Sequence, residues 1–256
     1  MLSKISTKLK NNGFIVIKNA ISKKEIHYFF NFFKKLLSTY TNSNEVLAYN
    51  SFEDLRLHNF LINLNKKNPK VFSSVYDTII LSSALRNFFV KSGIEKIASR
   101  LLQVNDYEIC PRSQVLRMDP PNNNSHSYGW HQDSAYTNYN QNGLNALIVW
   151  IPLLKVNKLN GTLKVCKNSH AEGTIKAKKY VKRGIISEQI LVPDRFVKKY
   201  KMLDMNVNQG DAVITYSNVI HKSGDNSSQL MRITALIRYH KILSEDFFKF
   251  PKQKSH

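Results

Sequence analysis

The chain has 256 residues, 42% of them hydrophobic and 11% aromatic, which is enough to bury a globular core and excludes a disordered chain. No apolar run approaches the ~20 residues that cross a bilayer, and the opening Met1-Leu2-Ser3-Lys4-Ile5 alternates lysine with apolar residues, unlike a secretory signal. The net charge of +20 raises nucleic acid or an anionic substrate as partners, yet the lysines are spread along most of the chain among abundant Asn and Ile, as general compositional bias would spread them. Two cysteines, Cys110 and Cys166, form no disulfide framework and read as small buried hydrophobes in a reduced, cytoplasmic compartment.

In chain order, Gly13-Phe14-Ile15-Val16-Ile17 is a short apolar strand candidate. Ser22-Lys23-Lys24-Glu25 has capping-box spacing. Ile26, Phe29, Phe30, Phe33, Leu36 and Leu37 then recur at three and four, predicting an amphipathic helix whose phenylalanines are core. Further helices are predicted over 54–64, 70–80 and 82–103. From about residue 107 the pattern becomes strand-like. Strands are predicted over 113–118, 146–151, 162–166, 212–216 and 232–240, separated by Gly, Pro and Asn turns. Several short strands of this kind predict a jelly roll or similar barrel. Residues 171–204, lysine-rich and less periodic, read as an insertion and a natural active-site cover. Within it, the basic stretch from Lys176 to Arg183 reads as a solvated segment.

The chemistry concentrates in Trp130-His131-Gln132-Asp133, with His221 and Arg232 far downstream. Two imidazoles and one carboxylate are the set that holds a mononuclear non-haem iron(II) on one face and leaves the other open. His131 and Asp133, two residues apart, share a side of an extended strand, and His221 completes the triangle. Arg232 offers a planar fork for a carboxylate. Other histidines carry less. His126 faces solvent or substrate, His170 makes a structural hydrogen bond, and His27, His58, His240 and His256 belong to no constellation. Tyr128 and Tyr136 either line a substrate mouth or fill its rim, and Trp130 packs under the metal strand. Arg238 also faces inward by strand parity.

The ordered blocks Gly129-Trp130-His131-Gln132-Asp133, Trp150-Ile151-Pro152-Leu153, Asn160-Gly161-Thr162-Leu163, Asn168-Ser169-His170, Gly210-Asp211-Ala212-Val213 and His221-Lys222-Ser223, with Asn226 and Arg232, closely resemble the phytanoyl-CoA dioxygenase family. That family of Fe(II)- and 2-oxoglutarate-dependent oxygenases includes ectoine hydroxylase. The resemblance runs through most of residues 107–241 and, more weakly, the N-terminal segment. It implies a double-stranded β-helix (jelly roll, cupin-like) core, mainly β, with N-terminal helices packed on it. The 256 residues would form one domain, with 1–106 mainly helical, 107–241 the core and 171–204 the insertion. His131, Asp133 and His221 would be the iron ligands. Arg232 and Ser223 would hold the distal carboxylate of 2-oxoglutarate, and Gln114 and Trp150 would line the co-substrate site. Thr234 would face the barrel interior. The family reaction consumes dioxygen and 2-oxoglutarate, releases succinate and carbon dioxide, and hydroxylates a substrate C–H. Related halogenases replace the carboxylate with Ala or Gly, so Asp133 favours hydroxylation.

The expected partner is a small molecule, anionic or carrier-bound, with no membrane. A nucleic-acid dealkylating oxygenase would exploit the positive charge and would need an aromatic-lined pocket and a phosphate groove, but the blocks around Trp150 and Asn160-Gly161 argue against it. A catalytically idle barrel that binds a ligand is the remaining alternative. Degenerate family members lose a metal ligand or the arginine, and this chain keeps both.

Overall fold

The computed structural model describes residues 2–122, 128–180 and 189–248. It opens on α1 (Leu2–Asn12), an element absent from the sequence reading, which buries Leu9 while Lys8 and Lys10 stay exposed. In α2 (Lys23–Thr41), the Ser22 hydroxyl accepts the Glu25 amide at 3.2 Å, the first half of the predicted capping box. The predicted stripe of Ile26, Phe29, Phe30, Phe33 and Leu37 is buried. Its rings close around Phe52 and Phe88 with centroids 4.9 to 6.0 Å apart. Next come α3 (Leu55–Lys67) and α4 (Pro69–Leu81), the latter capped by the Asn68 side chain with Pro69 in its first turn. The single helix predicted over 82–103 is two, α5 (Ser83–Lys91) and α6 (Ile94–Leu102). Gly93 separates them at φ 76°, a left-handed conformation that a right-handed helix does not pass through.

Two antiparallel sheets form the predicted jelly-roll core. The larger contains β1 (Phe14–Ile17), β2 (Ile109–Asp119), β3 (Ala146–Pro152), β8 (Ala212–Tyr216) and β10 (Arg232–Lys241), in the order β1-β8-β3-β10-β2. The smaller contains β4 (Leu163–Cys166), β7 (Met202–Asp204) and β9 (His221–Ser223), in the order β7-β4-β9. A hairpin of β5 (Lys178–Tyr180) and β6 (Gln189–Leu191) stands apart from both. Helix exceeds strand, 40% of residues against 24%, but the helices serve as backing. One hydrophobic core joins α2 to α6 with the outer face of the larger sheet.

Strand period two assigns the faces of β10. Ile233, Ala235, Ile237 and Tyr239 are buried in the helical layer, whereas Arg232, Leu236, Arg238 and His240 line an internal cavity of about 700 Å³. On the neighbouring β2 the parity changes partway. Leu236 pairs with Val115 and Arg238 with Arg112, so two residues, Ser113 and Gln114, oppose Ile237 alone. This is a β-bulge, with Ser113 at φ 50°. Arg112 on one side of it, and Val115, Arg117 and Asp119 on the other, consequently share the cavity wall.

The segment 171–204 is not wholly an insertion. Its last three residues are β7, paired to β4 from Lys164↔Asp204 to Cys166↔Met202. Between the sheets and β6, α7 (Asp194–Val197) contributes Val197 to a small second core with Cys166, Ile175, Val192 and Ile220. The basic stretch contributes Lys178–Tyr180 to β5, and its residues 181–183 lie outside the described ones. Cys166 is fully buried and Cys110 half-buried, both as free thiols.

Phe52 is fully buried at the junction of three phenylalanines of α2. Phe52→Ala is expected to cost about 3–5 kcal/mol of stability, seen in urea unfolding as a lower midpoint at unchanged slope. A loss below about 1 kcal/mol would mean the aromatic cluster collapses freely around the gap.

Candidate active site

His131 and His221 are brought together by backbone. Their amides and carbonyls form a reciprocal antiparallel bridge, His131 N to His221 O at 2.9 Å and His221 N to His131 O at 3.0 Å. The two rings lie with centroids 4.2 Å apart. Each ring Nδ1 sits against a backbone carbonyl two residues upstream, Gly129 O at 2.8 Å for His131 and Val219 O at 3.0 Å for His221. A carbonyl only accepts, so both Nδ1 atoms carry the proton and both Nε2 lone pairs are free to bind a metal.

Asp133 follows extended Gln132 and opens a 3₁₀ turn, Asp133–Tyr136, which aims its carboxylate back at the rings. Its Oδ1 is 3.3 Å from His131 Nε2 and 3.6 Å from His221 Nε2. The three residues are buried, with ligand atoms all within 4.8 Å of one another. That spacing allows the three residues to hold one metal ion together. The donor set, two neutral imidazoles and one carboxylate, fits iron(II). Burial opposes ionisation of Asp133, but Arg238, His131 and His221 outweigh it and hold the carboxyl far below the usual range. Burial and neighbouring His131 push His221 down to about 4, so its imidazole is neutral at pH 7.

Arg238 was read as inward-facing, but its contact with the metal-ligand set was not legible in the sequence. Its Nε donates to Asp133 Oδ2 at 2.7 Å, fixing the oxygen turned away from the histidines. Farther along the same strand, Arg232 is 5% exposed and makes four hydrogen bonds. Nε and Nη2 reach Asp119 Oδ2 at 3.1 and 3.0 Å, and Nη1 donates to the carbonyls of Gly161 and Gly224. Gly161, at φ 83°, is required here, because a Cβ would lie 2.5 Å from Arg232 Nη1. Arg117 binds the other oxygen, with Nη2 2.7 Å from Asp119 Oδ1. The result is a triad of two guanidinia around one buried carboxylate. Despite burial, Arg117 and Arg232 lower the Asp119 pKa to about 2. Neither Asp119 nor Arg117 was singled out from the sequence; Arg117 sits in a run that reads only as alternating, and Asp119 in the turn context after it.

Ser223 and Trp150 line the same cavity. Gln114 does not. Its amide donates to Ile80 O at 2.9 Å, at the end of α4, because the bulge places it on the helical side of β2. Thr234 is fully buried, and Tyr128 and Tyr136 stand beside His131, with ring centroids 5.2 and 5.9 Å away. His170 is structural, with Nε2 2.8 Å from Lys10 O and its ring stacked on Tyr216. His240, which belonged to no sequence constellation, is buried in the cavity wall. His126 lies outside the described residues. The Gly210-Asp211 block is also structural. Asp211 takes Lys18 at 2.8 Å and the Asn19 and Asn208 amides, each at 2.9 Å.

Segment 171–204 is tied to the metal strand. Buried Gln132 donates to Gly173 O and Asn218 O and accepts from the Ile175 amide. The Gly129 amide donates to Gln189 Oε1 at 3.0 Å, Val192 N to Trp130 O at 2.8 Å, and Ile190 N to the Tyr136 hydroxyl at 2.6 Å.

Comparison with known proteins agrees with this geometry. A family model described as Phytanoyl-CoA dioxygenase (PhyH) matches residues 9–234. Among solved structures, the chain is similar to the epimerase SnoN in complex with Fe3+, alpha ketoglutarate and nogalamycin RO. They share 12% identity at a TM-score of 0.65, covering 100% of this chain and 92% of that one. It is similar to the non-heme monooxygenase ThoJ at 19% identity and a TM-score of 0.61, covering 93% and 77%. It is also similar to EctD from S. alaskensis with 2-oxoglutarate and 5-hydroxyectoine, at 16% identity and a TM-score of 0.58, covering 96% and 79%. No curated protein matches in sequence. These likenesses establish the fold that the strands describe.

The triad sets an acid limit on stability. Asp119 has a folded pKa of about 2, below its usual 3.8, so its stabilisation is present above about pH 4 and is lost as pH falls toward 2. Asp119→Asn is expected to lose roughly 3 kcal/mol at pH 7 by removing the carboxylate charge that Arg117 and Arg232 share, and to flatten the dependence of unfolding free energy on pH between 4 and 2. Chemical denaturation across that range checks both. An equally steep acid limb in the variant would assign it to other carboxylates.

Proposed function

The chain belongs to the phytanoyl-CoA dioxygenase family, and we propose that it hydroxylates an aliphatic C–H of a small-molecule substrate with release of succinate and carbon dioxide. It is a 2-oxoglutarate-dependent dioxygenase whose cofactors are iron(II), 2-oxoglutarate and dioxygen. The observation that carries the reading is one cavity holding both a convergent His131–Asp133–His221 set and a buried guanidinium, Arg232.

When bound, the iron supplies oxygen activation driven by decarboxylation of the 2-oxo acid. The chain's side chains do the rest. His131, Asp133 and His221 hold the metal, their tautomers and orientation set by Gly129 O, Val219 O and Arg238. Arg232 and Ser223 receive the distal carboxylate. Asp119 and two carbonyls already occupy four of the five guanidinium N–H groups of Arg232, so Arg117 provides the neighbouring positive charge. Two arginines and one aspartate leave one unit of positive charge, which one incoming carboxylate neutralises. Trp150 supplies an apolar wall. Asp133 retains the oxygenase ligand, which supports hydroxylation over halide transfer.

The substrate is a small molecule, and the finer reading is an anionic one, free or on a carrier. Residues 1–256 act as one domain, supported by the continuous core beneath helices and sheet, with 171–204 as cover over the metal strand. Among the described residues no helix is long and apolar enough to cross a membrane, and two free thiols support a cytoplasmic setting.

Anaerobic addition of Fe(II) and 2-oxoglutarate is expected to produce the charge-transfer absorption of the chelate. His131→Ala should abolish it, and Arg232→Gln should raise the 2-oxoglutarate concentration needed by about 30-fold or more. Arg232→Lys keeps the charge without the fork and should fall between. A flat spectrum from folded wild type would favour the idle-barrel reading.

A further inference from the structure

The cavity carries two cationic poles, and 2-oxoglutarate takes one. The inner pole is Arg117–Asp119–Arg232, at the ends of β2 and β10 where Arg232 pairs with Asp119. Farther along the same ladder, Arg238 pairs with Arg112. Arg232 and Arg238 are six positions apart on β10, on the order of 20 Å at about 3.3 Å per residue.

The outer pole is built, and it borders the metal set. Arg238 reaches inward to Asp133 and donates Nη1 to Ser113 O at 3.3 Å. The Arg112 guanidinium carbon lies 4.6 Å from the centroid of the Tyr139 ring, a cation–π contact. Among the described residues Arg112 has no carboxylate partner, although it lines the cavity and is exposed. Asn138 and Thr137 add polar atoms to the same rim. His240 adds no charge, since burial, then Arg238 and Arg112, lower its pKa to about 4.

Charge balance gives the ligand class. Four arginines (112, 117, 232 and 238) face the cavity against two aspartates (119 and 133), a surplus of two positive charges. A bound divalent metal raises it to four, and dianionic 2-oxoglutarate returns it to two. A neutral substrate would leave that surplus uncompensated beside the metal set.

We propose that Arg112, with Arg238 beside it, is the anchor for a carboxylate or phosphate group of the hydroxylated substrate, bound at the cavity mouth while the inner pole holds 2-oxoglutarate. This inference rests on the oxygenase reading for its co-substrate and assigns the substrate class of that same site.

The test uses three probes of equal chain length, hexyl phosphate, hexanoate and hexanol. Each is titrated anaerobically into the full chain with and without Fe(II) and 2-oxoglutarate. Quenching of tryptophan fluorescence reads probe binding, because Trp150 lines the cavity, and the charge-transfer band reads occupancy of the inner pole. Hexyl phosphate and hexanoate are expected to bind saturably with the band retained, and hexanol not to bind. Arg112→Gln should weaken anion binding roughly 10- to 100-fold, and Arg112→Lys should restore most of it. Hexanol binding as tightly as the anions, or unchanged affinity in folded Arg112→Gln, would overturn the proposal. So would loss of the band on probe addition, which would place the anion at the inner pole. Arg112-dependent anion binding in a protein that never forms the band would support the outer pole and overturn the oxygenase reading. A normal band with no anion binding would do the reverse.

Discussion

The reciprocal backbone bridge between His131 and His221 is the constraint on which the site depends. Two amide–carbonyl bonds place residues 90 positions apart in register, and the pleat then directs both imidazoles to one side. A hydrogen-bonded antiparallel pair is rigid where single side-chain contacts are adaptable, so the metal set is defined before any ligand arrives. Around it, each remaining freedom is removed separately. Carbonyls fix the tautomers, a 3₁₀ turn aims Asp133, and Arg238 holds its outer oxygen. Pre-ordered donors of this kind leave open coordination positions without collapse of the ligands onto one another.

The cavity is an exercise in compensated charge. Burying Arg232 without a partner would be prohibitive, and Asp119 with two carbonyls makes it tolerable. That compensation also sets the character of the inner pole, because a guanidinium with most of its hydrogens engaged cannot act as a lone clamp. A second arginine becomes necessary to keep the pocket positive. Gly161 belongs to this arrangement as backbone, since a side chain there would displace the arginine.

Period-two and period-3.6 patterns made the strands and most helices legible from the sequence. The histidine–carboxylate spacing, with Arg232 beyond it, made the centre of the site legible. Features that depend on registration between distant strands were not. Arg238 is one of two inward arginines on a strand, and only the fold shows that its partner is Asp133. Asp119 follows an alternating run and precedes two prolines, a context that reads as a turn. Gln114 fails for a local reason, since a bulge at Ser113 leaves no signature in a run of ordinary residues. The segment 171–204 conceals β7 because three residues carry too little periodicity to announce a strand. α1 is lysine-rich with few apolar positions, so its buried Leu9 stands out only against the neighbours it packs on.

That bulge has a bearing on how such a cavity diversifies. The extra residue shifts the phase of β2 between its two halves, so the stretch bearing Arg117 and Asp119 and the stretch bearing Arg112 answer to different pairing constraints. Side chains at the mouth can change in length, charge or shape without dragging the deep end out of alignment. On the proposed assignment, one half of a single strand is thus free to follow the molecule being oxidised, while the other stays committed to the keto acid.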